Sequence, residues 1–80
     1  MLRCALQSDS LAGVVYRRDQ SWLEVEFRDG TRYRYFDVPL DCLQQLLAAD
    51  SKGSYFNRNI RNRFRFQRIA GDDRPLSGEN

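Results

Sequence analysis

The 80-residue chain contains no histidine. That removes the commonest general base and the commonest metal ligand. It has two cysteines, Cys4 and Cys42. Two are too few and too separated for a disulfide framework, and two thiolates cannot complete a tetrahedral zinc site. No metal and no cofactor is therefore expected. No apolar run approaches the roughly 20 residues that cross a bilayer. The opening stretch, MLRCALQSDS, has too short an apolar segment for a secretory signal. A cytoplasmic protein with reduced thiols and no membrane partner is the expectation. The length leaves room for one domain with a thin core, since a chain this short buries only about 60% of its unfolded surface.

The residues that are present argue for a folded chain. Hydrophobic residues make up 41%, with five Phe, four Tyr and one Trp. Such a composition can bury enough apolar surface to offset chain entropy. The exception is the stretch 70–80, with Leu76 its one large apolar side chain, which is expected to be a flexible tail. Net charge is only +2, yet it is unevenly placed. Between Ser51 and Arg68 stand Lys52, Arg58, Arg61, Arg63, Arg65 and Arg68, with no acid among them. A basic stretch of this kind sets up a local positive potential on a nearly neutral protein.

Periodicity divides the chain into elements. Leu11–Arg17 reads as a short strand, with Gly13 a bulge or close-packing point. In Trp22–Arg28, Leu23, Val25 and Phe27 alternate with Glu24 and Glu26, giving a strand with one apolar and one charged face. Asp29-Gly30 suits a two-residue type I′ hairpin turn. Thr31–Phe36 alternates again, so Arg32 and Arg34 can face the two glutamates across the sheet. After Asp37, placed to cap, and Pro39, placed in a first helical turn, the leucines 40, 43, 46 and 47 recur at helical spacing to about Ala49. Ser51 or Ser54 can cap a second helix that carries Tyr55, Phe56 and Ile60. Arg63–Ile69 alternates at period two, as a fourth strand or an extended segment would. The expected fold is α+β: a three-stranded antiparallel β-meander packed against two α-helices, with a short C-terminal strand left open. Leu23, Val25, Phe27, Leu43, Leu46, Leu47, Phe56 and Ile60 are the expected core.

Several blocks in this order resemble the KTSC domain, named for the C-terminal extension of some lysyl-tRNA synthetases and also found as a stand-alone bacterial protein. The blocks are Tyr33-Arg34-Tyr35, Val38-Pro39, Ser51-Lys52-Gly53-Ser54-Tyr55-Phe56-Asn57, Ile60-Arg61 and the aromatic-basic stretch Phe64–Arg68. The resemblance covers residues 8–69, leaving 1–7 as an N-terminal extension. It implies the fold and brings no catalytic residue. RNA binding is suggested by the synthetase context.

The residues suit a binding module better than an enzyme. Glu24 and Glu26 have the arginine ladder as partners, and Cys42 has no histidine to activate it. Lys52, Arg58, Arg61, Arg63, Arg65 and Arg68 are the candidate phosphate contacts, and Tyr55 the candidate stacking ring. Tyr33 and Tyr35 share a strand face, toward the leucine helix by alternation, or open to stack bases if the sheet is turned the other way. RNA, either tRNA or a single strand, is the expected partner. A protein partner bound through a Tyr/Phe/Arg patch is the alternative. A monomer, or a weak homodimer through an unpaired sheet edge, is the expected state.

Overall fold

A computed structural model describes residues 1–70; the expected tail from Gly71 onward lies outside the described residues. Five strands, β1 (Leu2–Ala5), β2 (Leu11–Arg17), β3 (Trp22–Phe27), β4 (Arg32–Tyr35) and β5 (Phe66–Ala70), form one sheet in the order β1-β2-β3-β4-β5. Every neighbouring pair is antiparallel. Helices α1 (Leu40–Ala48) and α2 (Lys52–Asn59) come between β4 and β5. The fold is thus α+β as expected, with a wider sheet than the three-stranded meander. The Arg63–Ile69 alternation becomes a strand only from Phe66 onward, residues 63–65 being turn and connection, and β1 is an addition. Residues 1–7, set apart above as an extension, supply that strand and Leu6, which is 5% exposed.

The alternation in β3 decides which sheet face the helices cover. Leu23 and Val25 are fully buried and pack with Val14, Tyr16, Tyr35, Leu43, Leu46, Phe56 and Ile60. Phe27 and Leu47 join this core only partly buried. On the opposite face Glu24 pairs in register with Arg34, and Glu26 with Arg32. The ion pairs do not follow the register. Glu24 takes both arginines, at 3.4 Å and 3.7 Å, while Glu26 is exposed and unpaired among the described residues. Trp22 lies on this helix-free side and still stays buried. The Arg34 guanidinium sits 4.1 Å from its ring centroid, and its indole N–H donates to Gln20 Oε1 at 3.0 Å. A flat guanidinium over an indole contributes a cation–π term as well as cover.

Two local expectations are corrected. The β3–β4 connection is not a two-residue type I′ turn. Phe27 N–H donates to Thr31 C=O, Gly30 N–H donates to Phe27 C=O, and only Gly30 has positive φ, at 94°. This is the three-residue loop in which a tight turn is followed by a left-handed glycine. Asp37 does not cap α1. It sits at φ 59°, and the N-cap is Pro39, with no side-chain bond. The turn is held instead by Val38, whose N–H donates to Ser21 C=O at 2.8 Å and whose C=O accepts the buried Tyr16 hydroxyl at 2.6 Å. Of the two serines expected as caps of α2, Ser51 is the cap, its Oγ accepting the N–H of Ser54, which lies inside the helix, at 3.3 Å.

Candidate nucleic-acid interface

On the helix-covered side, α2 stops short of closing over the β3–β4 hairpin. The gap is a groove of about 540 Å³. Its floor is aromatic: Phe56 meets Phe27 edge-on at 5.5 Å and Tyr35 at 5.4 Å, and Tyr33 meets Phe27 at 5.9 Å. Edge-to-face contacts of this kind fix ring orientation as well as burying area. Gly53 and Asn57 form the α2 wall, with Arg61 at its end. Gly53 and Asn57 are four apart and share a side of α2, and Arg61 follows just beyond the helix end, its N–H donating to Phe56 C=O at 2.9 Å. Gly53 lets α2 come close to the turn before β2; a β-carbon there would lie 2.7 Å from Ser10 Oγ.

Three arginines line this groove: Arg28 from the hairpin, Arg61 from the end of α2 and Arg68 from β5. Arg28 is held rigidly, its guanidinium donating to Ser8 C=O at 3.1 Å and Leu6 C=O at 2.9 Å. Neutral carbonyls orient it without cancelling its charge. Arg61 donates to Asn57 Oδ1 at 3.2 Å. Among the described residues none of the three forms an ion pair. Asp29 is the one acid lining the groove. Its Oδ1 accepts the Thr31 N–H at 3.0 Å and the Thr31 hydroxyl at 2.7 Å. Those two bonds, with a smaller contribution from Arg68, hold its carboxyl below the usual carboxylate range. Burial pushes the Tyr35 phenol above its ordinary value, against a smaller opposing pull from Arg61.

The groove adjoins a second hollow, reached past Ser10, Gly53 and Asn57, where Lys52 and Ser51 stand. Lys52 is tied to the end of α1, donating to Ala49 C=O at 3.0 Å.

The candidate residues do not gather in one patch. Arg61 and Arg68 share the groove, and Lys52 stands in the adjoining hollow. Arg58 is exposed and lines neither. Arg63 lies over the Phe64 ring and Arg65 over the Phe36 ring, at 5.8 Å and 4.9 Å. Tyr55, expected as the stacking ring, is half-buried and turned toward α1, where its hydroxyl donates to Gln45 Oε1 at 3.3 Å. Burial, then the neighbouring Cys42, pushes its phenol up. It is a spacer between the two helices and not an open platform. Tyr33 and Tyr35 face the helices, with Tyr35 3% exposed and Tyr33 partly buried. Arg28 was missed by the sequence reading. Its value comes from the hairpin loop, which carries it back to the Leu6–Ser8 backbone, and nothing in the local pattern marks that.

The family model for the KTSC domain matches residues 7–64. An uncharacterized protein of Stutzerimonas stutzeri is 47% identical over 70 residues, covering 86% of this chain and 99% of its own. A lysine–tRNA ligase of Trichormus variabilis is 36% identical over 55 residues; the match takes 69% of this chain but only 10% of the ligase. Among solved structures, a KTSC domain protein from Yersinia pestis superposes with a TM-score of 0.82 at 30% identity, covering 86% of this chain and 97% of that one.

Proposed function

The chain belongs to the KTSC domain family, and from that premise we propose that it is a small non-catalytic module that binds RNA along the groove between α2 and the β3–β4 hairpin. One observation carries this reading: Arg28, Arg61 and Arg68 converge on an aromatic-floored groove with Asp29 its one acid, and none of the three forms an ion pair among the described residues. Guanidinium groups so placed neutralise backbone phosphates, and the counterions released supply affinity that does not depend on sequence. The ligase relatives lend support, since there a matching segment belongs to a protein named for tRNA. Asn57 and Thr31 add polar atoms at the groove wall that can bond ribose or base.

The test is an anisotropy titration of the whole chain against labelled tRNA and a labelled single-stranded RNA at several salt concentrations. Binding is expected to weaken with salt at a log–log slope of about −0.7 per neutralised phosphate on a single strand. Arg61→Ala and Arg68→Ala should each weaken binding and reduce the slope by about 0.7. Absence of binding to either RNA at low salt removes the proposal. So does a protein partner, captured from extract by the same groove and retained after nuclease treatment.

A further inference from the structure

We infer that Phe66 is a stacking platform for an unpaired base, and hence that the groove takes single-stranded RNA in preference to duplex; this rests on the RNA reading above. Phe66 is the first residue of β5 and, at 52% exposure, is unusually open for its size. It is not loose. Its ring lies 5.6 Å from Tyr33 and 5.5 Å from Tyr35, tilted by 58° and 37° against the two tyrosines that line the groove. One face of the phenyl ring is thereby seated and the rest is offered to solvent. A ring already held by its neighbours loses little rotamer freedom when a ligand stacks on it.

The charges around Phe66 identify the occupant. Register pairs Phe66 with Tyr35 and Arg68 with Tyr33, so Phe66 and Arg68 point to the same side of β5, about 7 Å apart along the strand. Arg61 lies close enough to Tyr35 to act on its phenol. An exposed aromatic ring with Arg68 on its own strand face, beside a groove that Arg61 and Arg68 line, matches a nucleotide, with the base on the ring and the phosphates on the arginines. A purely apolar partner would leave both cations desolvated and unpaired, which is costly. In a duplex both faces of each base are already stacked, so its charge can be met but its bases cannot reach Phe66. Tyr55, the ring that sequence favours, is half-buried and tied to Gln45 of α1, which leaves Phe66 as the exposed aromatic ring beside the groove among the described residues.

The experiment compares Phe66→Leu, Phe66→Trp and the unaltered chain. The probes are a single-stranded RNA oligonucleotide carrying 2-aminopurine and a blunt-ended RNA duplex of equal charge. Leucine keeps apolar cover over Tyr33 and Tyr35 but removes the π-face. Phe66→Leu should lower single-strand affinity by between about fivefold and a hundredfold. Its salt slope should be unchanged, because no cation is lost. Phe66→Trp should restore the affinity, and binding should quench 2-aminopurine in the unaltered chain and in Phe66→Trp but not in Phe66→Leu. Equal affinity for strand and duplex, or a Phe66→Leu chain that binds as tightly as the unaltered one, overturns the platform while leaving RNA binding intact. Absence of binding to both probes overturns the RNA reading itself.

Discussion

At the scale of single residues, two glycines show how one residue type meets opposite constraints. Gly13 lies in β2 opposite Ala5 of the antiparallel β1, and a β-carbon would stand 2.9 Å from the Cys4 carbonyl oxygen. That oxygen belongs to a paired strand and cannot move alone. Gly13→Ala should therefore cost about 1–3 kcal/mol, as overpacking does, with β1 the first element to loosen. Gly53 also lacks room, but the atom in its way is the Ser10 hydroxyl, the tip of a side chain that can rotate aside. Gly53 lies in α2 with no positive φ, so alanine gains about 1 kcal/mol of helix propensity. The expectation is that Gly53→Ala changes stability by less than about 1 kcal/mol, and that Gly53→Ala with Ser10→Ala exceeds the parent. Urea denaturation of the four proteins checks both. A Gly53→Ala loss as large as that of Gly13→Ala would contradict the account.

At the scale of elements, the sequence shows those whose periodicity is strong. β3 and β4 alternate cleanly, β2 does so from Val14 after an irregularity between Leu11 and Gly13, α1 carries leucines at helical spacing, and all four lie close to their expected limits. β1 is hard to read because LRCA has four residues and no clear alternation; it is held by its antiparallel pairing with β2. The cap of α1 was misplaced because Asp37 is spent on a left-handed turn ahead of Pro39. With no side-chain cap, α1 relies on the layer beneath it, as short helices do. That layer holds two tyrosines, Tyr35 on the sheet and Tyr55 between the helices, whose phenols are both raised above the ordinary 10.0, chiefly by burial. A proton held more tightly in the folded chain stabilises it fully below the unfolded value and is lost as pH rises through the folded one. Stability should thus hold steady to about pH 10 and fall above it. Tyr35 and Tyr55 should ionise late in an ultraviolet titration, together with loss of helical circular dichroism. Their ionisation below pH 10 with the helices intact would show that the layer does not shield them.

At the scale of the whole molecule, the decisive question is where the excess positive charge acts. A net charge of +2 is too small to attract RNA by itself. The linear run of basic residues after Ser51 was legible in the sequence, but its division in space was not. A helix turns its residues through every direction, and Arg61 and Arg68 reach one groove only because β5 folds back beside β4. Arg63 and Arg65 keep their charge over Phe64 and Phe36 but line neither the groove nor the adjoining hollow. Two charge-reversed proteins separate placement from amount. Arg61→Glu with Arg68→Glu, and Arg63→Glu with Arg65→Glu, each replace two cations by two anions, so each moves the net charge from +2 to −2. All four side chains are exposed, and none forms an ion pair among the described residues, so both proteins should fold. If the groove is the site, the first pair abolishes measurable RNA binding at moderate salt. The second pair should reduce binding only by the long-range repulsion that about 0.15 M salt screens beyond roughly 8 Å, and raising the salt should narrow its deficit. Equal losses in the two proteins would mean that RNA responds to overall charge, and the groove would lose its claim as the place of contact.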